Sequence, residues 1–306
     1  MSALHATDIR TYLECRRKFY YANVLRLLKG EGEKPNYFEV GTRGHAILAA
    51  HYKNEETSYI IEEIPDTENK QLLSVLYKDY VEHYKETDST WQIASVENQF
   101  KIEFMGIEIE FTIDLLIMIM QYYIVDHKFY STMPSQTVID LDFQISFYIW
   151  AANRLGIKVN NAILNCIKKK IPISPTMLQG GKGLSRSATE LGKTDYQLYS
   201  NAIKMAGLNE VDYENELDYL KGRGSLTFQR FKTKRSDSFL VQFEEDLKFL
   251  IEEIMEAKIT PRKFIAIPSL NCAWCPYEFL CKIQNDGRDI KQAINGMYTE
   301  KKDGER

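Results

Sequence analysis

From residue 93 to residue 128 apolar and polar positions alternate with a period of two, the signature of half-buried strands. "VENQFKIEF" and "IEIEFTIDLLI" carry the alternation, Gly106 marks a turn between them, and "YYIVDHK" follows as a third strand after a turn near 118–121. Elsewhere the period is helical. Over 7–29, Thr7 can cap a helix whose Ile9, Tyr12, Leu13, Phe19 and Tyr20 share one face, and Gly30 and Gly32 punctuate its end. Further helices are predicted from Gly41 and Thr42 to about Lys53 and over 68–86. An amphipathic helix over 137–155 stops at Gly156. "KVNNAILNCIKKK" then reads as a strand, and Pro172, Pro175, Gly180, Gly181 and Gly183 as a loop. Helices near 194–207 and 212–221, a strand at about 225–233 and a helix over 237–257 complete the pattern, with a polar tail from 285. The order predicts an α/β or α+β domain with a helical flank. It reads as one domain over 1–283, with an insertion at 172–235 and a frayed tail at 284–306.

Composition narrows the class. The chain has 306 residues, 44% hydrophobic and 27% charged, enough for an ordinary core. Its most apolar run, "FTIDLLIMIMQYYIV", is shorter than the ~18–20 residues of a membrane span and holds Asp114 and Gln121. "MSALHATDIR" has no apolar signal region. A soluble cytoplasmic protein without membrane partners is expected. Five cysteines, an odd number, argue against a disulfide framework and for reduced thiolates on a metal. The formal net charge of -4 does not mark a nucleic-acid binder, but residues 221–235 hold six basic groups and no acid. That stretch is either a solvated face or a phosphate-facing groove.

The candidate chemistry begins in "IVDHKFYS". In a strand Asp126 and Lys128 point to one face about 6.6 Å apart, and taken alone they read as a surface pair. Apolar residues lead up to Asp126, however, and also surround Asp114 in "FTIDLLI". Buried carboxylates are costly unless paired or bound to a cation. Two of them converging across adjacent strands make an oxygen-rich site suited to Mg²⁺ or Mn²⁺. His45, in "GTRGHAILAAHY", can join them from a helix; His51 lies on another face of that helix, and no HExxH is present. Gln144 and Tyr148, four apart, share a helix face. Near the end of the chain, "NCAWCPYEFLC" holds Cys272, Cys275 and Cys281. A fourth thiolate would complete a site for Zn²⁺ or an iron–sulfur cluster. Cys166 reads as a small core residue.

The order His45, Asp114, Asp126-x-Lys128, Gln144-x-x-x-Tyr148 resembles the PD-(D/E)xK nuclease superfamily, and within it the RecB-family exonuclease branch. "LHATDIRTYLECRRKFYY" resembles the amino-terminal cysteine segment of AddB-type and CRISPR-adaptation nucleases. The resemblance implies a restriction-endonuclease-like core, a mixed sheet flanked by helices. It implies Mg²⁺ or Mn²⁺ on His45, Asp114 and Asp126 with the backbone carbonyl of His127, and Lys128 on the attacking water or the phosphate. Gln144 and Tyr148 would position DNA. Cys15, Cys272, Cys275 and Cys281 would hold a [4Fe–4S] cluster, with Zn²⁺ as the alternative. Such a cluster would staple the first helix to the carboxyl-terminal segment.

The implied activity is a DNA exonuclease of recombination, repair, replication or CRISPR-type processing. Its substrate would be single-stranded DNA or a DNA end, with a replication or recombination protein as partner. Lys221, Arg223, Arg230, Lys232 and Arg235 would line a DNA channel. Two departures stand out: Asp126 replaces the Glu of many relatives, and no GxxxxGK[ST] occurs, as in a free-standing nuclease rather than a helicase fusion. The competing readings are an endonuclease of the same superfamily, a non-catalytic iron–sulfur or zinc DNA-binding scaffold, and an iron–sulfur electron carrier.

Overall fold

A two-residue turn starts the sheet. Met105 and Gly106 take φ of 54° and 73°, the left-handed pair that matches strand twist in a tight hairpin. They join β3 (Gln92–Phe104) to β4 (Ile107–Met118). The computed structural model describes residues 4–29, 36–260 and 263–301, with only the backbone at 36–38. β5 (Tyr122–Tyr130) returns antiparallel to β4, β6 (Asn161–Lys168) lies parallel to β5, and β7 (Phe228–Lys234) is antiparallel to β6. β1 (Leu4–His5) adds a short parallel pairing to β4. The order β1-β4-β5-β6-β7, with β3 on β4, makes a six-stranded mixed sheet. The predicted mixed α/β core is therefore present.

Helices cover both faces. On one, Ile113, Ile124 and Leu164 pack on Phe147 of the helix Phe143–Arg154 and on Leu247 and Ile251 of the helix Asp237–Ile259. On the other, Leu115, Val125 and Ile163 pack on Leu48 of the helix Asn36–Tyr52 and on Leu76 and Tyr80 of the helix Thr67–Asp88. Alternation by two would keep Ile113 and Leu115 on one face. They lie on opposite faces, and so do Phe100 and Val96 on β3. The switch coincides with Glu97, whose φ is 48°. A non-glycine residue in that region stores strain of about 1–3 kcal/mol and is a frequent companion of functional sites.

Several expectations change. The helix expected over 7–29 ends at Glu14, breaks at Cys15, whose backbone is extended, and resumes over Arg16–Phe19. Leu27–Lys29 is instead a strand, β2, paired with β8 (Tyr298–Glu300). Gly30 and Gly32 lie outside the described residues. The tail expected to fray therefore contains β8 as well as the helix Lys291–Met297, and Tyr298 is buried because it stacks on Tyr277. Within the expected insertion, Leu184, Leu191, Tyr199, Ile203, Tyr213 and Leu220 form a small core of their own. Residues 228–234 do not belong to it, since β7 completes the main sheet. Among the described residues, no helix is long and apolar enough to cross a membrane.

Candidate active site

The site sits where two strands part. β4 and β5 pair from Met118↔Tyr122 to Leu115↔Val125, and there the ladder ends. The next residues are Asp114 and Asp126. Asp114 fills the opening with its side chain: its Oδ2 accepts the backbone N–H of His127 at 2.8 Å. From the other edge of β4, Glu97 lies between the pairs Val96↔Leu115 and Asn98↔Ile113, opposite Asp114. Three carboxylates thus stand in one row across β3, β4 and β5.

The helix Asn36–Tyr52 brings His45 to this row. Its Nδ1 is 3.3 Å from Asp114 Oδ2. Gly44 permits the approach, because a Cβ there would run into the ring of Phe129 on β5. Ligand atoms of His45, Glu97 and Asp114 all fall within 4.8 Å of one another, close enough to share a cation. The expected trio was His45, Asp114 and Asp126. Instead Asp126, 1% exposed, is engaged by Lys128: Nζ donates to Oδ1 at 2.9 Å and lies 2.7 Å from Oδ2. Oδ2 is buried and makes no hydrogen bond of proper geometry beside that ion pair. Gln144 and Tyr148 join from the opposite helix, with Nε2 donating to the phenol oxygen at 2.6 Å and Arg10 donating to the Gln144 carbonyl at 3.3 Å.

Electrostatics single the row out. Burial raises the pKa of Asp126, only partly offset by Lys128, and Asp114 adds to the rise. Burial and the charge of Asp114 raise Glu97. Burial would raise Asp114 too, but His45, His127 and Lys128 together outweigh it and the net shift is downward. His45 moves up, because Asp114 overcomes the opposing effect of burial. Lys128 also moves up, burial being outweighed by Asp126 and Asp114. Two carboxylates pushed up beside a third held ionised are short of positive charge, and hard oxygen donors plus one imidazole suit a divalent cation.

The family model of the PD-(D/E)XK nuclease superfamily matches residues 3–282. The chain belongs to the PD-(D/E)XK nuclease superfamily. It is by class a hydrolase acting on nucleic acid, and nucleases of this superfamily use divalent metals, for which the His45–Glu97–Asp114 group is the candidate seat. No curated protein matches the chain. Among solved structures, the crystal structure of SSO0001 is similar at 11% identity and a TM-score of 0.30, over 90% of this chain and 94% of that one.

Other expected site residues of this PD-(D/E)XK chain scatter. Arg230 is not on a DNA-facing surface: its side chain, 9% exposed, is paired with Asp88 and lies over the rings of Tyr84 and Trp91. Arg235, 3% exposed, donates to Ser146 and Thr233. Arg223 donates to the carbonyls of Leu191 and Thr194. Lys221 and Lys232 are exposed. The sequence reading missed Glu97, although the signal existed: carrying the pairing back from the turn at Gly106 sets it opposite Asp114.

Cys275 and Cys281 pack where the two chain ends join. Tyr21 donates to Gln284, Tyr277 donates to the Leu27 carbonyl, and β2 pairs with β8. Burial raises Cys275, with Cys15 and Cys272 adding to the shift, and burial also raises Cys281, with Cys275 and Cys15 adding. The four thiols are thus within electrostatic reach. Among the described residues, however, no three of them bring their sulfurs within 4.8 Å of one another.

Proposed function

We propose that this protein is a metal-dependent DNA exonuclease of the RecB-like branch. The observation that carries the reading is the row Glu97–Asp114–Asp126 at the strand fork, with His45 on one side and Lys128 on the other. His45, Glu97 and Asp114 would hold Mg²⁺ or Mn²⁺, with Oδ2 of Asp126, itself 2.7 Å from Lys128 Nζ, and the His127 carbonyl beside them. A divalent ion there would lower the pKa of a water and offset charge on the scissile phosphate. Lys128, its pKa raised by Asp126, stays cationic and so serves as a donor to the phosphate or the water rather than as a base. Gln144 and Tyr148 would orient the strand. Water oxygen bonds to phosphorus and releases its proton to solvent, the phosphorus–oxygen ester bond breaks, and the leaving oxygen takes up a proton from solvent. Lys221 and Lys232 remain as exposed cations for the DNA backbone.

The four cysteines belong to the same proposal. Zinc bonds of about 2.3 Å would hold four sulfurs roughly 3.8 Å apart, tighter than these thiols stand. A [4Fe–4S] cluster, being larger, suits a wider set and would clasp the chain ends together.

The test follows end-labelled and circular DNA, single- and double-stranded, with Mg²⁺ or Mn²⁺. Wild type should shorten labelled ends and spare circles, and Asp126→Ala should fold yet cut nothing. Full cutting by Asp126→Ala sinks the active-site assignment, and cutting of circles turns the reading to an endonuclease. Iron and sulfide content of anaerobically made protein, with and without Cys15→Ser, decides the cluster.

A further inference from the structure

On the face of the sheet opposite Asp126 and Lys128 runs a second row. His127 on β5 pairs with Asn165 on β6, and Asn165 pairs with Arg230 on β7. His127 and Asn165 are buried, the Arg230 side chain is 9% exposed, and their polar groups interlock. Arg230 donates through Nε to Asn165 Oδ1 at 3.3 Å. Asn165 Nδ2 lies 2.8 Å from His127 Nδ1 and 2.9 Å from the Tyr80 hydroxyl. The guanidinium is held in turn by Asp88. Tyr52 stacks flat on His127 at 5.7 Å and 7°, and its hydroxyl is tied to Tyr80 and Asp88 at 2.7 and 2.8 Å.

The logic of the row runs in one direction. An arginine can only donate, so the amide oxygen of Asn165 must face Arg230 and its NH₂ must face His127. His127 Nδ1 must then accept, and the imidazole proton sits on Nε2. Ring plane, tautomer and position of His127 are all set from the far side of the sheet. His127 lies between Asp126 and Lys128 in the chain, and its backbone N–H is what Asp114 grips at the fork. A buried ion pair such as Arg230–Asp88 is weak evidence for stability, because desolvation offsets most of its attraction. A chain of groups that each have one permitted orientation is better suited to fixing a backbone.

We infer that Asn165 and Arg230 are positioning residues of the candidate active site: through His127 they fix where Asp114, Asp126 and Lys128 stand for the cation and the phosphate. The inference rests on the nuclease reading above for its purpose, but its first measurement does not.

The experiment compares wild type with Asn165→Leu, which keeps the branched side-chain shape and removes all three hydrogen bonds, and with Arg230→Lys, which keeps the charge on Asp88 and loses the fork of donors. The control is Leu220→Ala in the separate small core at 184–220, which lowers stability away from the row. Two quantities are read on folded protein. One is the hydrogen-exchange rate of the His127 amide by NMR in EDTA. The other is Mn²⁺ affinity by titration of the free-ion EPR signal. Asn165→Leu should speed exchange at His127 at least tenfold over the control and weaken Mn²⁺ binding about tenfold, in the range typical of groups that orient metal ligands. Its kcat should fall more than its KM for DNA. Arg230→Lys should move each in the same direction by less. A folded Asn165→Leu protein with the His127 exchange and the Mn²⁺ affinity of the control overturns the inference. If wild type binds no Mn²⁺ and cuts no DNA, the nuclease reading fails, and the His127 amide still decides whether the row positions that backbone.

Discussion

Replacing Glu97 by Gln should make the metal-free protein more stable and the metal-loaded protein less so. Glu97 and Asp114 face each other with ligand atoms within 4.8 Å. At that distance two like charges repel by about 3.5 kcal/mol at an effective dielectric of ~20 and about 0.9 kcal/mol at ~80. Asp114 is 11% exposed and Glu97 is partly buried, and His45 attracts Glu97 from the other side. A relief of about 1–2 kcal/mol is therefore expected on removing the charge in EDTA, or roughly 2–6 °C in Tm for a chain of this size. With metal the sign reverses. A ligand at a hundred times its Kd stabilises by about 2.7 kcal/mol, and each tenfold loss of affinity removes about 1.4 kcal/mol of that at a fixed metal concentration. Urea unfolding in EDTA and across a Mn²⁺ series reads both effects, and the two curves of stability against Mn²⁺ should cross. A Glu97→Gln protein that is destabilised in EDTA yet gains as much from Mn²⁺ as wild type refutes both the repulsion and the ligand role.

Three further outcomes follow from the same geometry. Gly44→Ala should destabilise by about 1–3 kcal/mol through overpacking on Phe129 and weaken metal binding by displacing His45; a gain of about 1 kcal/mol in urea unfolding, as helix propensity alone would give, contradicts the close approach. Burial raises the pKa of Asp126 in the folded state, so the stability tied to its protonated form is complete below the ordinary carboxylate pKa and is lost as pH rises through the folded value. In EDTA, the Tm of wild type relative to Asp126→Asn should thus fall as pH rises above the ordinary carboxylate range; a constant difference contradicts the raised pKa. Lys221→Gln with Lys232→Gln should lower DNA affinity and flatten the slope of log affinity against log salt by up to about 2. An unchanged slope removes these two from the DNA path.

Much of the site was legible from residue order. Asp114 and Asp126 stand among apolar residues of short strand patterns, which already marks buried acids, Lys128 shares the face of Asp126, and His45 stands on a predicted helix. Gln144 and Tyr148 followed from helical spacing. Arg230 and Arg235 were misread for a physical reason: six cations in a short stretch look solvated in sequence, but Arg230 on β7 is met by Asp88, and Arg235, just past the strand, by Ser146 and Thr233. Those partners lie as many as 142 residues away along the chain. The tail was misread likewise, since its polar composition hides a single strand whose partner, β2, is near the other end of the chain.

By itself the sequence determined what is local: the period of each element, the turn at Met105 and Gly106, the capping and glycine signals, and the residue types able to bind a cation. The hairpin register was also local, and with it the placement of Glu97 opposite Asp114. The tertiary structure decided everything that depends on two segments meeting. It parted β4 from β5 at the acids, gave Asp126 to Lys128 while grouping Glu97 with His45 and Asp114, and turned Arg230 into the end of a buried row. The reason is that burial and pairing set the charge a group can carry, and neither exists until distant strands and helices enclose it.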